Sequence, residues 1–157
     1  MRTGMKTLAR QQCVTELVTR LRTVSPHSSR RWGRMTAHQM VCHVGDACRM
    51  ALGEQAVTDD GSSALRRTMI KVMALHLPLQ WRPGIVTRPE IDQQVAGTKP
   101  TEFAADVATL EALLSAVAAR RASTGWPRHP VFGVMSHAEW LRWGYLHTDH
   151  HLRQFGA

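Results

Sequence analysis

The C-terminal segment constrains the fold most, because its residues repeat at the spacing of one helical face. If it forms a single helix, five side chains at steps of three or four residues share that face: Trp140, Gly144, His147, His151 and Phe155. Histidines four residues apart on a helix can bind one metal ion, since their ring nitrogens converge on a point about 2 Å from each. Two ligands are too few for a metal site, so a third must come from elsewhere in the chain.

Local capping patterns predict where two of the helices begin. Thr36 and Gln39 have the capping-box spacing, which places a helix start at Ala37. Ser136 and Glu139 repeat the pattern before the C-terminal segment. The final helix is expected to end near a glycine close to the C-terminus.

The remaining apolar residues also recur at helical spacing. They predict long helices over residues 6–24 and 101–121, the second capped by Thr101, and a shorter helix over 64–77. Residues 79–100 contain several prolines and glycines without a sustained period, which predicts a long irregular crossover. Four long amphipathic helices and no alternating apolar pattern predict an all-α four-helix bundle.

Length and composition are those of one folded domain. The chain has 157 residues, of which 43% are hydrophobic, and we expect a single domain over residues 1–157. No apolar run reaches the ~18 residues that cross a bilayer. The N-terminus carries Arg2 and Lys6 without the apolar core of a secretory signal. These features predict a cytoplasmic protein that does not insert into a membrane.

The net charge of +8 raises the question of nucleic acid binding. The basic residues, however, occur as scattered pairs rather than as one stripe: Arg30/Arg31, Arg66/Arg67 and Arg120/Arg121. This distribution favours a solvated basic surface over a nucleic acid site. A basic protein would nonetheless attract an anionic small substrate.

The three cysteines are odd in number and lack the C-x-x-C spacing: Cys13, Cys42 and Cys48. They fall on predicted helices, which favours reduced thiols in the core over metal ligands or nucleophiles.

A further histidine lies on the second predicted helix. His43 falls on or beside the apolar stripe, where a lone histidine is ordinarily a core imidazole bonded to a backbone carbonyl. In helical bundles, metal sites are built from side chains on facing helices. His43 could therefore meet His147 and His151 if the two helices are neighbours. His38, in the first turn of the same helix, points elsewhere and is expected to be exposed.

The order of these motifs resembles that of a known superfamily. A histidine on the second helix followed by H-x-x-H-H-x-x-Q on the last, here His147 to Gln154, resembles the DinB/YfiT-like superfamily of bacterial four-helix-bundle metalloenzymes. The likeness extends from Trp32 to the C-terminus. Its other pieces are the W-G-R-M-T-A-H-Q-M-V-C-H segment that ends at His43, H-P-x-F-G from His129, and the final H-L-R-Q-F-G.

The resemblance implies a divalent metal ion bound by His43, His147 and His151. It also implies an up-up-down-down bundle, a homodimer and a small-molecule substrate. Characterised relatives include thiol-dependent transferases and isomerases that use mycothiol, bacillithiol or glutathione. The chain departs from many of them in having Leu152 and Arg153 before Gln154, which leaves the substrate open.

Three neutral histidines would leave open coordination positions, as catalytic zinc sites do. The ion could lower the pKa of bound water to about 7, or bind a thiol as thiolate. Zinc and nickel are the first candidates, and iron, cobalt and manganese also accept imidazole ligands.

Other polar residues receive supporting roles. His150 is a candidate catalytic base, with packing at a surface or interface as the alternative. Asp46 and Gln154 are candidates to orient the ligating histidines, although Asp46 could equally be an exposed helix residue. Arg34 and Arg153 are candidates to bind an anionic group of the substrate.

Two functional hypotheses follow from the sequence. The first is a metal-dependent enzyme, either a thiol S-transferase or a hydrolase that uses metal-bound water. The alternative is a non-catalytic helical bundle that binds metal or a partner, in a stress-related or nucleic-acid-associated role, with structural histidines.

Overall fold

The chain folds into five α-helices, which a computed structural model describes over residues 5–157. These are α1 (Gln11–Leu21), α2 (Ala37–Leu52), α3 (Ala64–His76), α4 (Phe103–Ala119) and α5 (His137–Gln154). The described range contains no β-strand, so the all-α prediction is confirmed. None of its helices combines the length and apolar character needed to cross a bilayer. Arg2, considered above for a secretory signal, lies outside the described residues.

Both predicted capping boxes are formed. The Thr36 hydroxyl accepts from the Gln39 amide at 3.1 Å, and the Gln39 side chain accepts from the Thr36 amide at 3.0 Å. Ser136 and Glu139 make the same pair of bonds at the start of α5. Gly156 follows α5 with φ of +79°, the left-handed conformation that favours glycine. These ends are fixed by residues within one helical turn.

The predicted cap of α4 is wrong by one residue. The helix begins after Glu102, whose carboxylate accepts from the amides of Ala104 and Ala105 at 3.0 and 2.7 Å. Thr101 instead donates its amide to the Asp106 carboxylate at 3.0 Å. A glutamate can cap from this position because two oxygens reach two free amides of the first turn.

Helices α1 and α5 run in the same direction. Glu16 accepts from the Tyr145 hydroxyl at 3.1 Å, and one turn later Arg20 pairs with Asp149 at 2.7 Å. Helices α2 and α4 are also parallel to each other. Their first turns meet through His38 and Asp106 at 2.7 Å, and at their far ends Arg120 donates to the Leu52 carbonyl at 3.1 Å.

The second parallel pair runs opposite to the first. Ala37 at the start of α2 and Phe155 just beyond α5 line one cavity, so those two helices are antiparallel. The order of α1, α2, α4 and α5 is therefore up-down-down-up, not the up-up-down-down order that the resemblance implied. Because α2 and α4 point the same way, residues 53–102 must return along the whole length of the helices.

These four helices share one apolar core, in which α2 packs most extensively against α4. Its fully buried side chains include Leu17, Leu21, Met40, Val44, Leu110, Leu114, Trp140 and Leu152. The returning segment carries α3 and a 3-10 turn at Pro89–Ile91, and it contributes Leu75 of α3 to the same core.

Helix α3 turns most of its apolar residues to solvent. Leu65, Met69, Val72 and Met73 are 45–73% exposed. Helical spacing indicated an amphipathic segment here, but it did not say what would cover the apolar side. Within residues 5–157, no other part of the chain covers these four side chains.

Candidate metal centre

The three histidines named from the sequence come together between α2 and α5. One ring nitrogen from each of His43, His147 and His151 lies within 4.8 Å of the other two. The ring centroids are 4.7 to 5.2 Å apart. Nitrogens that share a zinc ion each lie about 2 Å from it, hence at most about 4 Å from one another. Small side-chain movements would bring the three rings onto one ion.

A backbone carbonyl orients the first of these rings. His43 Nδ1 lies 2.8 Å from the carbonyl oxygen of Ile91, in the 3-10 turn of the crossover. Because a carbonyl only accepts, Nδ1 carries the hydrogen, and Nε2 keeps its lone pair for a ligand. A hydrogen bond to a backbone carbonyl is what the sequence predicted for a structural core histidine. The same bond also orients His43 so that Nε2 can bind a metal ion.

An amide side chain orients the second ring. His151 Nδ1 lies 2.9 Å from Gln154 Oε1, and Gln154 Nε2 donates to the Trp32 carbonyl at 2.9 Å. The amide group therefore accepts from the imidazole, which leaves His151 Nε2 as the ligand atom. Gly33 permits this approach: a Cβ there would lie 2.6 Å from Gln154 Nε2. Gln154, named from the sequence as a support, contacts the ring directly.

The third ring is oriented by stacking. His147 lies against Trp143 with a centroid distance of 4.9 Å and an interplanar angle of 18°. Trp143 precedes His147 by four residues on α5, so the two rings stack along one face of the helix. This contact restricts ring rotation without using either nitrogen.

Burial keeps the three imidazoles neutral. Desolvation is the largest influence on each, lowering the pKa of His43 and moving those of His147 and His151 well below the usual value. Mutual repulsion among the rings adds to the effect at His147 and His151. Metal ligation needs the deprotonated nitrogen, so at neutral pH the cluster has the required charge state.

Asp46 supports the site indirectly, without a hydrogen bond to His43. It is fully buried and accepts from Gln93 Nε2 at 2.8 Å and from the Thr98 amide and hydroxyl at 2.8 and 2.6 Å. Asp46 is therefore not an exposed helix residue, which was the alternative that the sequence left open. Its bonds attach the crossover to α2, close to the Ile91 carbonyl that holds His43.

His150 is buried beside the three ligands. It is 7% exposed and lies 5.6 Å from Trp32 and 6.1 Å from Trp81, between ring centroids. Its Nδ1 has no hydrogen-bond partner within the described part of the chain. Desolvation, followed by the charge of Arg153, lowers its pKa. The expectation of surface packing does not hold for this residue in the single chain.

The two arginines proposed to bind substrate are already paired with carboxylates. Arg34 contacts Asp92, and Arg153 Nε lies 2.9 Å from Asp149. The Arg34 side chain is still 64% exposed, so it can contact solvent and solutes while paired.

Sequence reasoning missed the aromatic residues around the site. Trp143 had a usable signal, its spacing of four residues from His147. Trp81 had none, because it lies in the irregular crossover, where its indole donates to the Ala74 carbonyl at 2.9 Å. It faces His147 with a centroid distance of 6.3 Å.

His129, a buried residue near the site, makes the unfolding free energy depend on pH. It is buried; its Nδ1 accepts from the amides of Val131 and Phe132 at 3.1 Å each, and its ring meets Trp143 edge-on. Burial lowers its pKa to about 3, from an ordinary value of 6.5. As pH falls below 6.5, the unfolded chain binds a proton that the folded chain excludes, so stability is lost toward acid.

We therefore expect His129→Asn to reduce the acid sensitivity of the fold. Asparagine keeps an acceptor for the two amides but does not titrate. Between pH 7 and pH 5, the wild type should lose about 2 kcal/mol more unfolding free energy than the variant. Denaturant titrations at both pH values, with chelator present, measure this difference. Equal losses in the two proteins would contradict the assignment.

Removing the amide that holds His151 should weaken metal binding. We expect Gln154→Ala to lower the affinity for a divalent ion about 10- to 100-fold, the usual cost of losing the partner of a ligating histidine. Competition with a coloured chelator measures the affinity. Arg153→Ala is the matched control, since Arg153 is on the same turn but pairs with Asp149. Equal weakening in both variants would contradict the role of Gln154.

Comparison with known proteins identified one family. A family model described as protein of unknown function (DUF1569) matches residues 10–157. No curated protein and no solved structure matches the chain. The matched range includes all three clustered histidines and Gln154.

Proposed function

The chain belongs to the DUF1569 family of proteins of unknown function, and we propose that it is a metal-dependent enzyme whose ion is held by His43, His147 and His151. One observation carries the proposal: three imidazole nitrogens meet within 4.8 Å. Two of these rings have Nδ1 engaged by a fixed acceptor, so their Nε2 lone pairs are available. A set of three protein ligands is typical of catalytic rather than structural zinc sites.

The surrounding residues suit a reaction in a partly enclosed site. A divalent ion bound there would supply a Lewis acid that makes water or a small thiol nucleophilic at neutral pH. His150 is neutral, buried and adjacent to the ligands, so its Nδ1 can exchange a proton with a bound substrate. Trp32 and Trp81 flank His150 and restrict the access of solvent.

The reaction we propose is group transfer, with either a low-molecular-weight thiol or water as the acceptor. Thiol S-transfer follows the resemblance to the DinB/YfiT-like superfamily, and hydrolysis needs only water. Zinc and nickel are the preferred ions for three imidazoles, with iron, cobalt and manganese as further candidates. The exposed Arg34 guanidinium would attract an anionic substrate toward this part of the surface.

Activity assays on protein purified without a histidine tag test the proposal. We expect turnover with a thiol and an electrophile, or with an activated ester, only in the metal-loaded protein. His150→Gln should bind metal as the wild type does but lower kcat by about 10²- to 10⁴-fold, as expected for a proton-transfer residue. Turnover that survives complete metal removal would refute the proposal.

We propose that α1, α2, α4 and α5 form a four-helix bundle related to that of the DinB/YfiT-like superfamily, with the helix order up-down-down-up and with α3 added in the crossover. Their shared core and the long return between two parallel helices support this. A cytoplasmic location is in keeping with three buried, unpaired cysteines.

The exposed face of α3 supports the expected homodimer. Leu65, Met69 and Val72 follow the four-then-three spacing of a helix-pairing seam. Cations on the same helix are paired within the chain, Arg67 with Asp59 and Lys71 with Glu139. A second copy of α3 could therefore pack there without strong repulsion between like charges.

Light scattering measures the oligomeric state. We expect the wild type to be a dimer, and the double substitution of Leu65 and Met69 by glutamate to yield folded monomers. Ala64→Glu, at an exposed position of the same helix that is not three or four residues from any of the three seam residues, should remain dimeric. A monomeric wild type would refute the proposed dimer.

A further inference from the structure

A second cluster of ligand-type side chains lies where α2 meets α4. His38, Cys42 and Asp106 each offer one donor atom within 4.8 Å of the other two. His38 and Cys42 are four residues apart on α2, and Asp106 comes from the first turn of α4. The cluster belongs to a different interface from the histidine site, which lies between α2 and α5.

The three groups converge on a single oxygen. His38 Nε2 lies 2.7 Å from Asp106 Oδ2, and Cys42 Sγ lies 3.7 Å from the same atom. The Thr101 amide donates to that oxygen at 3.0 Å, which fixes the orientation of the carboxylate. An imidazole, a thiol and a carboxylate thus already meet at one point, with a backbone group holding the last of them.

The position of the cluster would let an ion enter. The side chains of His38 and Asp106 are 20% and 18% exposed, so His38 is not the solvated residue expected from its place in the first turn. Cys42 is buried. The His38 ring is held edge-on against Phe103 at 5.2 Å. Two ligands are thus reachable from solvent, and a water molecule could complete a four-coordinate set.

We propose that His38, Cys42 and Asp106 form a second divalent-metal site, selective for zinc-like ions, that ties α2 to α4. An imidazole nitrogen, a sulfur and a carboxylate oxygen are the three ligand types that zinc accepts in proteins. The sulfur distinguishes this site from the all-nitrogen cluster, because thiolate favours zinc over harder ions such as magnesium and calcium. The inference does not depend on the proposed enzymatic function.

Binding exchanges protons for the ion. For an ion to bind, the Cys42 thiol would release its proton to solvent and form a sulfur–metal bond, and His38 would bind through Nε2 with a hydrogen on Nδ1. Asp106 remains ionised and provides an oxygen ligand. The thiolate and the carboxylate would together carry the two negative charges that balance one divalent cation.

Cobalt(II) titration tests the proposal, because cobalt bound to thiolate gives an intense near-ultraviolet charge-transfer band that a histidine-only site cannot give. We expect the wild type to bind two cobalt ions per chain, one of them with this band. Excess zinc should abolish the band. Cys42→Ser and Asp106→Asn should each lose the band and one bound ion, while Cys48→Ala, which changes another buried thiol, should keep both.

The outcomes separate this site from the histidine centre. His147→Gln/His151→Gln should lose one ion yet retain the thiolate band. Circular dichroism melts establish that each variant is folded. His38→Gln, at a partly exposed position, replaces any variant that is not. A wild type without the thiolate band, or a band that persists in Cys42→Ser, would overturn the proposal even if the histidine centre binds metal.

Discussion

Replacing His151 with alanine is expected to weaken divalent-metal binding at the histidine centre by more than about 100-fold. Loss of a residue that merely supports a ligating histidine costs about 10- to 100-fold, and loss of the ligand itself should cost more. The remaining His43 and His147 would bind as a pair, without the third nitrogen that converges with theirs. The double variant His147→Ala/His151→Ala should lose that ion entirely.

The measurement is elemental analysis and chelator competition on protein purified without a histidine tag. His76→Ala is the matched control, because His76 is also helical but lies 48% exposed at the end of α3. To keep the two proposed sites apart, each titration is repeated in the Cys42→Ser background. Unchanged affinity in His151→Ala would remove the basis of the proposed enzyme.

Asp46→Ala is expected to destabilise the protein by about 3 kcal/mol, because its removal leaves buried donors without their acceptor. Gln93 and Thr98 would lose the carboxylate that attaches the crossover to α2. The Ile91 carbonyl, two residues before Gln93, would then hold His43 less firmly. We therefore expect metal affinity to fall about tenfold as well, although Asp46 is not a ligand.

Urea denaturation measures the stability of Asp46→Ala, and chelator competition measures its metal affinity. The stability and metal affinity of Asp46→Asn should lie between those of Asp46→Ala and the wild type, since an amide oxygen still accepts hydrogen bonds but carries no charge. Glu54→Ala is the control, because Glu54 is an exposed acidic residue beyond the end of α2. Its removal is expected to change the unfolding free energy by no more than about 0.5 kcal/mol. Wild-type stability in Asp46→Ala would show that the crossover is held by other contacts.

These two substitutions separate ligation from support. His151→Ala removes a nitrogen that would contact the ion, whereas Asp46→Ala acts through the Ile91 carbonyl and the orientation of His43. The first should change affinity far more than the fold, and the second should change both. The ratio of the change in metal affinity to the change in unfolding free energy therefore distinguishes a residue that would bind the ion directly from one that supports a ligand.

The sequence by itself determined the features that depend on neighbours within one or two helical turns. Thr36 with Gln39, and Ser136 with Glu139, fix the starts of α2 and α5 because both partners lie in the same turn. The four-residue spacing of the C-terminal histidines likewise places them on one face of α5 in any tertiary context.

Only the tertiary structure decided what surrounds those histidines. The carbonyl that orients His43 is 48 residues away, in a crossover without periodicity, and the carbonyl of Trp32 that anchors Gln154 is 122 residues away. Helical period gives the direction of a side chain relative to its own axis, but not which helix it faces. The order of the helices, the solvent-facing apolar side of α3 and the meeting of Cys42 with Asp106 therefore all arise from packing between distant segments.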